Sequence, residues 1–225
     1  MRALAGARRD AASAPAVVPL NPPPVTEMIQ PFFIWAVPAG ILMLSNLAVD
    51  DNWARVRFET RADYGGDYVS FWYIWTNPND FSVGIDIDTS LAFIGYCSVR
   101  TGRAYLKTNI SNAHISAHMN IYQMGDQDAT FGPATLQTPI IDVLDLHAES
   151  DFFGSRGFNS APVDSIVDIS NDQVAVSAGA TVVFELFASF VFDNINDGVA
   201  FFDFSEGYQI SNPGMTITST PVILF

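Results

Sequence analysis

The constraint that decides most about this chain is the period of its apolar residues, which is two. From Thr181 to Phe192 the side chains of Val182, Phe184, Leu186, Ala188, Phe190 and Phe192 fall on one face of an extended strand. The opposite face, with Val183, Phe187 and Val191, is also partly apolar. The same alternation sets Ala54, Val56 and Phe58 against Arg55, Arg57 and Glu59, and Val83, Ile85 and Ile87 against Gly84, Asp86 and Asp88. It also sets Ile115, Ala117, Met119 and Ile121 against His114, Ser116, His118 and Asn120. A helix would need apolar residues three and four apart, and beyond the first ten residues no stretch keeps that spacing for three turns. The pattern predicts about ten to twelve strands at spacings of roughly 8–15 residues, the density of a sandwich or jelly roll. The expected fold is an all-β antiparallel sandwich, jelly-roll-like, behind an extended N-terminal arm.

Local signals refine this expectation. Tyr68 to Trp75 is aromatic on both faces, which predicts a central strand covered on each side. A strand over Leu91–Arg100 should turn at Thr101-Gly102-Arg103 and pair back through Ala104–Ile110. Asn196-Asp197-Gly198 reads as a second hairpin turn. Separate strands are expected at Ile140–Leu146, Ile166–Ile169, Val174–Val176, Val199–Phe204, Tyr208–Ser211 and Met215–Phe225. Residues 125–139 and 149–162 read as long loops.

Residues 1–30 differ in kind from 31–225. They begin Ala-rich and become Pro-rich at Pro15, Pro19, Pro22, Pro23 and Pro24, a composition that favours extended polyproline geometry and supplies no core. They form the expected arm, with the β domain following. The run Pro31–Val49 is apolar for 19 residues, long enough to tempt a membrane reading. Pro31, Pro38, Gly40, Ser45 and Asn46 argue instead for two consecutive buried strands broken at residues 37–40. The first fifteen residues carry charge without an apolar stretch, so no secretory signal is read there.

Charge narrows the partners. The formal net charge is -14, from 24 acids and 10 bases. Arg2, Arg8 and Arg9 lie at the tip, which leaves seven bases against all 24 acids in the rest, a net of −17. A body of that charge repels phosphate backbones, which argues against nucleic acid as its partner. The acids are mostly Asp, which suits turns.

The residues that carry chemistry in other proteins are sparse here. The one cysteine, Cys97, sits among Phe93, Ile94, Tyr96 and Val99 and reads as a buried inert thiol. His114 and His118 would share a metal on a helix, but on one strand they stand about 13 Å apart. His147 has no cysteine or second histidine near it in sequence. Asp193–Gly198 lacks the acidic third position of a calcium loop, where Ile195 stands. Asp86 and Asp88 share a strand face and would need a loop acid such as Asp126 or Asp128 to hold a cation; calcium is the metal such oxygen ligands would take. No nucleophile elbow or phosphate-binding loop occurs, and the chain reads as a non-enzyme with no other cofactor. Asn109-Ile110-Ser111 matches a glycosylation acceptor. Tyr64, Tyr68 and Trp72, with Phe152, Phe153 and Phe158 of the 149–162 loop, are the aromatics that would line a ligand groove.

The plan of the chain, a basic tip at Arg2, Arg8 and Arg9, a Pro-rich arm through Pro22, Pro23 and Pro24, and a β domain over 31–225, resembles that of icosahedral virus jelly-roll capsid proteins. The resemblance covers the whole chain as a layout and rests on no family motif. It implies a self-assembling structural protein, a virion coat or other shell or filament subunit, whose arm reaches onto neighbouring copies in a homo-oligomer. The location implied is a virion or an extracellular assembly. The acidic body departs from coats that package a genome by charge, which sets a decorating role or a non-viral shell beside the genome-packing one. The alternative is a carbohydrate-binding or adhesion module with an aromatic-lined loop groove and a glycan as partner.

Overall fold

The computed structural model describes residues 25–38, 41–103, 107–124 and 134–222. They hold fourteen strands: β1 (Val25–Met28), β2 (Phe33–Val37), β3 (Ile41–Ala48), β4 (Trp53–Thr60), β5 (Tyr64–Thr76), β6 (Val83–Thr101), β7 (Ile110–Met124), β8 (Leu136–Gln137), β9 (Ile141–Glu149), β10 (Phe158–Val176), β11 (Thr181–Ile195), β12 (Gly198–Phe204), β13 (Gln209–Ser211) and β14 (Met215–Pro221). All pairings are antiparallel, and they form two sheets packed as a sandwich, so the all-β expectation holds. The larger sheet contains β1, β14, β6, β12, β4 and β13, with β10 on the other side of β6 and β3 beyond β4. The smaller sheet runs β2-β5-β11-β7-β8, with β9 also on β7.

The alternation read from the sequence is the alternation of burial. Val182, Phe184, Leu186, Ala188, Phe190 and Phe192 all point inward from β11 and are buried. Phe190 is the hub of the core. Its ring lies 5.4 Å from Phe202 and from Phe204, and 5.7 Å from Phe58, so it joins β11 of one sheet to β12 and β4 of the other. Tilted and edge-on contacts of this kind add to the area term that drives such a core together. A polar cluster between the sheets is tied by hydrogen bonds. Tyr73 donates to Asn212 Oδ1, and Asn212 Nδ2 donates to Ser90 O (2.6 Å) and Thr89 Oγ1 (2.8 Å).

Several expectations need correction, and they share a cause. The chain changes sheet at eight of the thirteen connections between described strands, so neighbours in sequence are seldom neighbours in a sheet. The 101–103 segment does not close a hairpin: β6 belongs to the larger sheet, whereas β7 pairs with β11 and β9 in the smaller one. Residues 104–106 lie outside the described residues. The turn at 196–197 likewise carries the chain from β11 to β12 across the sandwich, with Asn196 at φ 65°. The strands expected at 83–87 and 91–100 are one strand, β6, and those at 166–169 and 174–176 are one strand, β10. β6 and β10 pair along their whole length, through a bulge between Asn171 and Val174. Asp86 supports that bulge, its Oδ1 accepting from the Gln173 backbone N–H at 2.8 Å.

The largest correction concerns residues 31–49. They do form two strands, but the strands are not buried. β2 is the edge of the smaller sheet and β3 the edge of the larger. In β2 only Ile34 is buried. No helix among the described residues is long and apolar enough to cross a membrane. The last part of the expected arm, β1, pairs with β14 within the same chain.

Candidate functional site

The flank built from β1, β2 and β3 is the least ordinary surface of the molecule. Two bonds tie it together: Gln30 Nε2 donates to Asp50 O at 3.0 Å, and Asn52 Nδ2 donates to Ile29 O. Val25, Ile29, Phe32, Phe33, Trp35, Ile41 and Met43 are each 45–67% exposed. Phe33 and Trp35 keep their rings 6.2 Å apart on the same side of β2. From Met28 to Val49 no residue carries a charge. Scattered exposed apolar residues are ordinary on a soluble protein, but seven within nineteen positions along adjoining sheet edges are more than scatter. Edge strands add unpaired backbone groups that a further strand can meet.

The outer face of the smaller sheet differs. Its centre is Glu185, 5% exposed although it points away from the core. Register places it between Trp72 of β5 and Asn120 of β7. Its Oε2 accepts from Tyr122 Oη at 2.7 Å and Asn120 Nδ2 at 2.9 Å. Rings wall it in: Trp72 stacks on Tyr122 at 5.8 Å, Tyr68 stacks on Phe187 at 4.7 Å, and His118 lies 4.8 Å from Phe187. Burying a carboxylate is tolerable because two donors replace its water. The carboxylate in turn fixes its neighbours. Burial, with the bond to Glu185 and its charge, pushes the Tyr122 phenol well above its ordinary value, and burial and the same charge push Tyr68 up. Both phenols stay protonated, and Tyr122 donates to Glu185. Burial lowers the His118 imidazole, although Glu185 and a bond with Asn120 oppose the shift.

The residues singled out in the sequence are thus spread over several places. Tyr68 and Trp72 belong to this polar–aromatic face, and Tyr64 begins β5 opposite Asp193. Phe152 and Phe153 form an edge-on pair at 5.9 Å in the segment between β9 and β10, and Phe158 pairs with Arg100 in the larger sheet. The groove expected from all six is therefore not one groove. Of the loops meant to frame it, 125–133 lie outside the described residues, and 158–162 are strand. Arg2, Arg8, Arg9, Pro22, Pro23 and Pro24 also lie outside the described residues.

The histidines meet acids and an amide rather than one another. His114 Nδ1 is 2.6 Å from Asp145 Oδ1 and its Nε2 is 3.4 Å from Asp142, while His147 Nδ1 meets Asn112 Oδ1 at 2.7 Å. Among the described residues no three His, Cys, Asp or Glu side chains are grouped to hold a metal. Asp126 and Asp128, named for a calcium site with Asp86 and Asp88, lie outside them. Cys97 is fully buried, and burial pushes its thiol up to about 12, which leaves it unreactive. Asn109 is buried and donates to Gly102 O at 3.2 Å, so the folded chain hides the glycosylation acceptor.

Glu185 went unread in the sequence, although a signal was present. It is the one acid between Val183 and Phe187, apolar neighbours on its strand face that leave a solvated carboxylate little reason to sit there.

No family model and no curated protein matches the chain. Among solved structures, the chain is similar to one described as "CBM4 structure and function" at 8% identity, with 77% of this chain and 92% of that one covered and a TM-score of 0.13. It is similar to the structure of infectious bursal disease virus Gx strain at 15% identity, covering 84% and 42%, with a TM-score of 0.16. A VP2 subviral particle of the same virus gives 15%, 84% and 42%, with a TM-score of 0.12. The chain spans less than half the length of those viral proteins. At TM-scores this low, function has to be read from the chain's own geometry.

Proposed function

We propose that the chain is a self-assembling structural protein, a coat, shell or filament subunit without enzymatic activity, whose copies meet through the β1–β3 flank. The observation that carries this reading is the set of seven exposed large apolar side chains along the β1–β3 edges, six of them within the uncharged run from Met28 to Val49. Copies of a body this acidic repel one another over most of their surface. They can approach where there is no charge to repel and apolar area to remove from water, worth about 25 cal/mol per Å² buried. The arm of residues 1–30 enters at the same flank, through β1, and its basic tip would suit a neighbour's acidic surface. The expected setting is a virion or an extracellular assembly. Light scattering behind size-exclusion chromatography tests this: the full chain should form multimers, and Trp35→Asp with Ile41→Asp should return it to a monomer. A full chain that stays monomeric at every concentration, or a double variant that assembles normally, rejects the reading.

A second reading, a carbohydrate-binding or adhesion module, draws on the smaller sheet's outer face. There Trp72 and Tyr68 lie beside the half-exposed rings of Phe33 and Trp35, which pair with Trp72 and Ser70 across β2 and β5. Ring faces next to hydrogen-bonding groups suit sugars. A glycan array should then give signals that Trp35→Ala removes, and silence at high protein concentration counts against it.

A further inference from the structure

The seven bases after the arm's tip are Arg55, Arg57, Arg61, Arg100, Arg103, Lys107 and Arg156. Arg55 and Arg57 lie over the rings of Trp53 and Phe201. Three of the others, Arg61, Arg100 and Arg156, line a single cleft of about 420 Å³ at one end of the larger sheet. Register explains the gathering. Thr60 pairs with Ala200, Val199 with Arg100, and Arg100 with Phe158, so β4, β12, β6 and β10 all deliver residues to that end.

In so acidic a chain, arginines would be expected to sit beside carboxylates. Arg61 does, with Glu59 at 3.4 Å. Arg100 and Arg156 have no hydrogen-bond or ion-pair partner among the described residues. One carboxylate, Asp197, shares the lining and Glu59 pairs with Arg61, so positive charge exceeds negative there by one. The frame beneath is tightly built. Thr101 N donates to Gly157 O at 2.9 Å, Gly157 N donates to Thr101 Oγ1 at 2.8 Å, and Gly102 N donates to Asp197 O at 2.5 Å. A Cβ on Gly157 would fall 2.3 Å from Glu149 O, and one on Gly102 1.8 Å from the Asp197 carboxylate. At Gly157 the near atoms are backbone, so only glycine fits there; at Gly102 they belong to the Asp197 side chain. Guanidinium groups that line one cleft in excess of the carboxylates there repel one another, and a multivalent oxyanion relieves that repulsion with paired hydrogen bonds.

We propose that this cleft binds a phosphate group, held by Arg100 and Arg156 with Arg61 as a third contact, and that Phe158 and Val199 wall the organic part of a phosphate monoester. None of these residues belongs to the β1–β3 flank, so the site stands or falls apart from assembly. The test is calorimetric titration and thermal melting of the full chain in a phosphate-free buffer. The probes are inorganic phosphate, phenyl phosphate, and sodium chloride at matched ionic strength. Phosphate should give saturable binding and a rise in Tm that chloride does not reproduce. Arg100→Gln and Arg156→Gln, both at exposed positions, should each weaken it at least about tenfold. Arg57→Gln, outside the cleft, should leave it intact. Tighter binding of phenyl phosphate that Phe158→Ala abolishes would assign the monoester, and equal affinity for both probes would assign the free anion. No saturable heat, a Tm shift matched by chloride, or unchanged binding in both cleft variants overturns the proposal.

Discussion

The β1–β3 flank and the outer face of the smaller sheet both present aromatic side chains away from the core, yet they treat water differently. On the outer face the rings stack in pairs, Trp72 on Tyr122 and Tyr68 on Phe187, and enclose a carboxylate whose Oε2 has two donors. That surface is complete within one chain. On the flank, Ile29, Phe32, Ile41 and Met43 stand about half or more exposed, and no charged residue interrupts them from Met28 to Val49. On the proposed reading, another copy covers that surface. Aromatic content alone therefore says little about where a β-sandwich binds; what matters is whether the rings already have partners.

Substitutions can sharpen this contrast. The largest effect on the fold should come from Glu185→Ala, which leaves Tyr122 and Asn120 without their acceptor and should cost about 1–3 kcal/mol in urea unfolding. Its assembly should be unchanged; a variant that loses assembly instead would show that the two regions are not independent. A smaller effect should come from acid. The imidazole of His118 sits below its ordinary 6.5 because burial penalises its charge, so the unfolded chain binds that proton more readily. Its neutral form contributes stability that is whole above about 6.5 and lost as pH falls through the folded value. Tm should drop from pH 7 to pH 5, and His118→Leu should drop less; parallel curves for the two proteins would remove His118 from this account. The smallest effect on the fold should come from the flank itself. Phe33→Ser removes a half-exposed ring and should change unfolding by no more than about 1 kcal/mol while weakening association. A larger loss of stability would mean that the flank serves its own chain.

Much of the fold could be read from residue pattern, and the site far less. The alternation in 181–192 and 53–59 corresponds to β11 and β4 and to their inward faces. Cys97 is buried, as its apolar neighbours implied. The two hairpins expected at 101–103 and 196–198 were read from good turn residues, but a turn sequence does not say whether the next strand rejoins the same sheet. The six aromatics grouped as a groove were close in sequence or in loops, and the strand order separates them. Arg61, Arg100 and Arg156 are 39 and 56 residues apart, and only four-strand register brings them to one cleft.

The sequence by itself determined that the chain is β throughout its described part and which face of each strand turns inward, because a period of two allows one burial pattern per strand. It also determined the charge that makes an uncharged surface conspicuous. Only the tertiary structure decided that residues 31–49 lie at sheet edges rather than inside, that Glu185 has donors, and that three arginines converge. These depend on which strands pair, and pairing is a long-range choice made by the whole core at once.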